Sequence, residues 1–177
     1  MQDPKSHPGD ELRSGHTVKA FHGTTLERAM NILRVGFQKA LGVCGVGAYF
    51  DIGASRSAVE RAIEKSENPL EARILEVELH PGDCIDWQAP DVKAVFQSWQ
   101  SSYRLRIGEE TFRKTRYNTQ KETCLIEQFL HADSATLIDE DGNRIIGMRN
   151  TKMIRILQVR LLTKEEIAQY EHSRTIG

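Results

Sequence analysis

Residues 18–63 read VKAFHGTTLERAMNILRVGFQKALGVCGVGAYFDIGASRSAVERAI, and this stretch decides the fold. Val18, Ala20 and Phe21 open a short strand that ends in His22-Gly23-Thr24. Thr24 then starts a helix with a capping-box pattern, because Glu27 lies three residues later. Leu26, Ala29, Met30 and Leu33 recur at helical spacing as the face to be buried, and Gly36 closes the helix. Gly42, Gly45 and Gly47 form a loop that feeds a second short strand through Tyr49 and Phe50. A second helix runs from about Ser55 to Lys65 and buries Ala58, Val59, Ala62 and Ile63.

Working outward, Arg73 to His80 alternates: Leu75, Val77 and Leu79 share one face, Glu76 and Glu78 the other, as a half-buried strand requires. Pro81-Gly82 stops it. Val92, Val95, Phe96 and Trp99 mark a third helix after Pro90, and Leu125, Ile126, Phe129 and Leu130 a fourth over about Glu122 to His131. Thr136–Ile138 and Ile145–Met148 form a hairpin about Asp139-Glu140-Asp141-Gly142. Met153 to Leu162 is the last strand, followed by a polar helical tail. Strands interrupted by helices, with antiparallel pairing toward the end, make an α+β domain.

Composition sets the outer limits. The 177 residues suit one domain, 18–177, behind a polar leader over residues 1–17 that has the character of a flexible segment. A net charge of −1 favours neither nucleic acid nor a membrane surface globally, and no apolar run reaches the ~18 residues of a spanning helix. Cys44, Cys84 and Cys124 are odd in number and widely spaced, which speaks against a disulfide framework and a zinc site and for reduced thiols. The expected compartment is cytoplasmic, with export by a specialised secretion system left open.

The order His22-Gly23-Thr24, then Gly45-Val46-Gly47-Ala48-Tyr49-Phe50, then Ala54-Ser55-Arg56-Ser57-Ala58 resembles the catalytic domain of the poly(ADP-ribose) polymerase family and its bacterial toxin-like relatives. The match spans these segments in order, with the step from Tyr49 to Ser57 equal to the family's. The resemblance implies an ADP-ribosyltransferase-like fold of split, mostly antiparallel sheets flanked by helices. It implies NAD as co-substrate and no metal. Gly23 would bond the nicotinamide carboxamide through its backbone, where a larger side chain would crowd the ring, and Ser57 would add a hydroxyl bond. Tyr49 would stack on nicotinamide, a contact worth on the order of 1 kcal/mol. His22 would hold an adenosine-side ribose hydroxyl. Thr24 would assist there, or cap its helix instead.

The chain departs from the family pattern at two places. Glu60 stands where a second tyrosine is common. Counting back five from Asn150, with Ile154 closing the pattern, gives Ile145 where the family carries its catalytic glutamate. The resemblance therefore implies a triad of His22, Tyr49 and Ile145. A hydrophobic residue there goes with transfer of single ADP-ribose units, or with an inactive NAD- or ADP-ribose-binding module. Glu122 is a candidate replacement carboxylate, against a plain solvated helix start. The acceptor is a protein or a nucleic acid. Arg104, Arg106, Arg113, Lys114 and Arg116, interleaved with Tyr103, Phe112 and Tyr117, suit a nucleic-acid backbone, a solvated loop or the diphosphate of NAD. An RNA 2′-phosphotransferase on the same fold would need a basic constellation around His22, and none is visible in the motif.

Overall fold

A computed structural model describes residues 16–114 and 131–176. Strand β1 (Val18–Thr25) runs into helix α1 (Leu26–Val35). The short β2 (Ala40–Gly42) turns back into β3 (Gly45–Ile52), followed by α2 (Arg56–Lys65). Then come β4 (Ala72–Leu79), β5 (Cys84–Asp86), α3 (Pro90–Ile107) and α4 (Glu109–Lys114). The hairpin β6 (Ser134–Ile138) and β7 (Arg144–Met148), strand β8 (Ile154–Leu161) and α5 (Lys164–Ile176) complete the described chain.

The strands form a mixed sheet in the order β5-β6-β7-β3-β1-β4-β8, with β2 attached to β3. β5 and β6 run parallel, and every other pair is antiparallel. The expected division into two sheets is replaced by one connected ladder with a thin central seam. β1 pairs with β4 along its whole length, from Val18↔Leu79 to Thr25↔Ala72. It meets β3 only at Ala20↔Ile52 and Phe21↔Asp51. Past Phe21, the end of β1 that carries His22 and Gly23 has no ladder partner on its β3 side.

The faces follow the side-chain alternation of the strands. Leu75, Val77 and Leu79 pack with Ala20, Ala29, Phe37 and Phe50 on one face. Ala72 and Ile74 point to the other, where α2 lays down Ala58, Val59 and Ala62. A third cluster, under α3, gathers Cys44, Ile85, Trp87 and Ala135, with Tyr49 and Phe96 against it. Glu76 and Glu78, expected on the wet face of β4, hold ion pairs with Lys19, Arg160 and Arg155.

Two local expectations change. β1 continues through Thr24, which is buried, so the helix cap is Thr25, whose Oγ1 accepts from Arg28 N–H at 3.3 Å. Glu27 then sits one position too early for a capping box. On α1 only Ala29 is buried; Met30 is 59% and Leu33 51% exposed. Helical periodicity found the apolar stripe but not which part of it the sheet covers. The expected helix over Glu122–His131 falls in large part outside the described residues.

Candidate functional site

The site grows from the seam. His22 stands on the unpaired side of β1, its ring edge-on to Phe37 at 5.4 Å between centroids and tilted against Phe50 at 5.7 Å. Nδ1–H donates to the carbonyl oxygen of Tyr49 at 2.8 Å. That bond joins β1 to β3 where the ladder between them has ended. Burial among aromatics lowers the His22 pKa from 6.5 to about 4, with Lys65, Arg61 and Arg28 pushing the same way and the bond to Tyr49 opposing them. The imidazole is therefore neutral at ordinary pH. With the proton on Nδ1, Nε2 is left as an acceptor for a donor such as a hydroxyl.

Gly23 follows on the opposite face. A Cβ there would lie 1.7 Å from the Ala58 carbonyl oxygen and 3.0 Å from the Ala62 nitrogen, inside the backbone of α2. Glycine is required because a helix lies on it, whereas the expectation was room for a ligand ring. Its carbonyl accepts from Lys65 Nζ at 3.3 Å. Ser57, in the first turn of α2, is buried beside this contact.

Tyr49 meets His22 through its backbone only. Its ring belongs to the third cluster, while His22 packs with the first. The Tyr49 hydroxyl donates to Gly45 O and accepts from Cys44 N–H at 2.9 Å. The ring lies against Gly42 and Gly147, where added Cβ atoms would approach it to 2.3 and 3.2 Å. The glycines of the loop thus make space for the tyrosine itself.

Ile145 is buried, 8% exposed, and lies in register with Asp51 of β3 and Leu137 of β6. Asp51 is a buried titratable group beside the seam that the sequence reading did not single out. It is 2% exposed, and Oδ2 is held by Arg61 of α2, while Oδ1 is buried without a hydrogen-bond partner. Burial pushes its carboxyl above the usual range, with Arg61 pulling the other way. Lys65, Arg61 and Arg28 each lower the His22 pKa, so positive charge lies toward the imidazole although the motif aligns no basic constellation around it. Arg61 and Lys65, one turn apart after a run of small residues, were the available signal.

The remaining candidates are more scattered. Glu122 and Arg116 lie outside the described residues; Arg113 and Lys114 end α4. Arg104 pairs with Glu109 at 3.0 Å, and Arg106 lies 5.4 Å over the Tyr103 ring. Trp99 stacks on Tyr103 at 5.1 Å, so both aromatic and basic groups here are engaged with one another. Cavities of about 630 and 990 Å³ lie between α2 and α5, away from His22 and Tyr49. The first is lined by Ala54, Ser55 and Arg56 of the third motif segment, and neither is lined by His22, Gly23, Tyr49 or Ser57. Among the described residues no cluster of three or more His, Cys, Asp or Glu could hold a metal, and no helix is long and apolar enough to cross a membrane.

No family model and no curated protein matches the chain. Among solved structures it is similar to a chain of the M. tuberculosis MbcT–MbcA toxin–antitoxin complex, at 15% identity and a TM-score of 0.45, over 94% of this chain and 96% of that one.

Proposed function

We propose that this chain is a mono-ADP-ribosyltransferase that takes NAD as co-substrate and passes ADP-ribose to a protein or nucleic-acid acceptor. The observation that carries the reading is the bond from His22 Nδ1 to Tyr49 O. It ties together the two motif segments and fixes the imidazole as a neutral acceptor at the open end of β1. A neutral Nε2 suits a ribose hydroxyl, and the cations about it suit a diphosphate. Cleaving the nicotinamide–ribose bond makes the ribose oxocarbenium-like, so the site must position the sugar and tolerate positive charge. Ile145 offers no carboxylate to polarise a ribose hydroxyl for chain extension, which supports single-unit transfer.

A second reading is an NAD- or ADP-ribose-binding module without catalysis. The packing of α2 on Gly23 supports it, because that contact accounts for the glycine without a ligand. The Asp51 carboxylate, across from Ile145, is buried and pinned by Arg61 rather than presented to a substrate.

Label transfer separates the two. NAD labelled in its adenylate phosphate is incubated with the protein and cell lysate. A transferase labels an acceptor, and His22→Ala abolishes the label. A binding module holds NAD or ADP-ribose saturably and labels nothing. Full labelling by His22→Ala contradicts the site.

A further inference from the structure

The second half of α2 and the middle of α5 enclose the cavity of about 990 Å³ between them. Its apolar lining comes from Ile63, Pro69, Ile167 and Tyr170. Glu60, Glu64, Glu67 and Glu171 supply the charge, and among the described residues no Lys, Arg or His lines it. The α5 wall is fixed at its start. Arg160 Nη1 and Nη2 each donate to the Glu166 carboxylate at 2.8 Å, and Glu166 exchanges hydrogen bonds with Thr163 in the manner of a capping box.

Three features make this cavity a place for positive charge. Glu64 and Glu67 are exposed and have no ion-pair partner among the described residues. The C-terminal end of α2, where a helix carries partial negative charge, borders the cavity. Lys65, the basic residue of that last turn, does not offset it there, because its Nζ donates to Gly23 O at 3.3 Å. Ser66, the C-cap, also lines the cavity, and its Oγ is buried without a hydrogen-bond partner.

Charge alone would suit any cation. The apolar lining beside the carboxylates narrows the choice, because a lysine or arginine lays its methylene stem along apolar surface while its head reaches an acid. The volume, at the upper end of the ~300–1,000 Å³ of ligand pockets, also leaves room for an apolar neighbour of that cation.

We propose that this cavity docks a basic, leucine-bearing segment of a partner protein, with Glu64 and Glu67 pairing its cations and Ile63 and Ile167 meeting its apolar side chains. The surface is separate from the NAD site proposed above, since neither His22 nor Tyr49 lines it.

Fluorescence anisotropy of the labelled peptide Lys-Leu-Lys-Lys-Leu-Lys with the full chain, at low salt where exposed pairs are least screened, tests this. The double variant Glu64→Gln/Glu67→Gln should weaken binding by about tenfold. Both side chains are exposed, so the variant keeps its fold, and its melting temperature checks this. Glu27→Gln/Glu140→Gln, which removes the same charge from exposed positions elsewhere, should leave binding unchanged. Replacing the leucines of the peptide by glycine should cost about tenfold or more. An unchanged affinity in the Glu64/Glu67 variant, or an equal loss in the control variant, overturns the docking site. So does a leucine-free peptide that binds as well, or spermine that displaces the peptide at equal concentration, which would mark a polyamine site instead. A wild type that does not bind the peptide overturns it outright.

Discussion

Asp51 and Ile145 stand opposite each other in the β3–β7 ladder, an acid on one strand facing an aliphatic side chain on the next. The position that resembles a catalytic glutamate is thus aliphatic, and the nearest carboxylate in register is already committed to Arg61. Both side chains are buried, so the pair defines what chemistry this edge of the site can support.

Ile145→Glu should accordingly not restore polymer synthesis. It would set a second carboxylate against Asp51 in a buried pair, where like charges repel and one must take up a proton. We expect a loss of about 3 kcal/mol, or a melting point lower by about 10 °C, larger at pH 8 than at pH 5. A variant as stable as wild type that builds ADP-ribose chains would refute this.

Gly23→Ala should destabilise the protein itself. The new methyl would meet the Ala58 carbonyl, which belongs to helix backbone and cannot rotate away. Overpacking of this kind costs on the order of 2–3 kcal/mol, read as a drop in thermal midpoint without any ligand. An alanine variant that melts like wild type but loses NAD affinity would restore the view of Gly23 as a ligand contact.

Removing Arg61 should be costlier than removing both partners. Arg61→Met strands a buried carboxylate, at about 3 kcal/mol, whereas Asp51→Asn with Arg61→Met should lose less than the two single changes summed. The Arg61→Met penalty should shrink as pH falls, because Asp51, already pushed up by burial, then accepts a proton. Additive losses in denaturant melts would show that the pair is not coupled.

His22 sets a pH window for stability. Its folded pKa of about 4 lies below the ordinary 6.5, so the unfolded chain binds the proton more readily. The contribution is fully present above pH 6.5 and is lost as pH falls toward 4, with an upper bound of about 3 kcal/mol. Denaturant midpoints for wild type and His22→Asn should diverge at pH 7 and converge toward pH 4. Parallel curves would mean that His22 titrates normally.

Much of the fold was legible because it is local. The alternation of Leu75, Val77 and Leu79 and the turn Asp139–Gly142 each depend on a few neighbouring residues, and β4 and the β6–β7 hairpin stand where they indicated. α3 likewise follows from the spacing of Val92, Phe96 and Trp99. Long-range features were not legible. Nothing in the residues of β1 and β3 tells that they share only two pairs, nor that α1 leaves Met30 and Leu33 uncovered. At the site, His22, Gly23 and Tyr49 stood out by motif, but their environments did not. Gly23 reads as ligand space until α2 is laid on it. Asp51 reads as a strand residue until Arg61 reaches it.

The most direct test is nicotinamide release from NAD by the purified chain, with and without cell lysate, beside His22→Ala. Release that requires His22 and rises with lysate is the predicted result. Clear NAD binding with no release under either condition would contradict catalysis at the seam, and would leave a binding module with Ile145 and the covered Gly23 as the reasons.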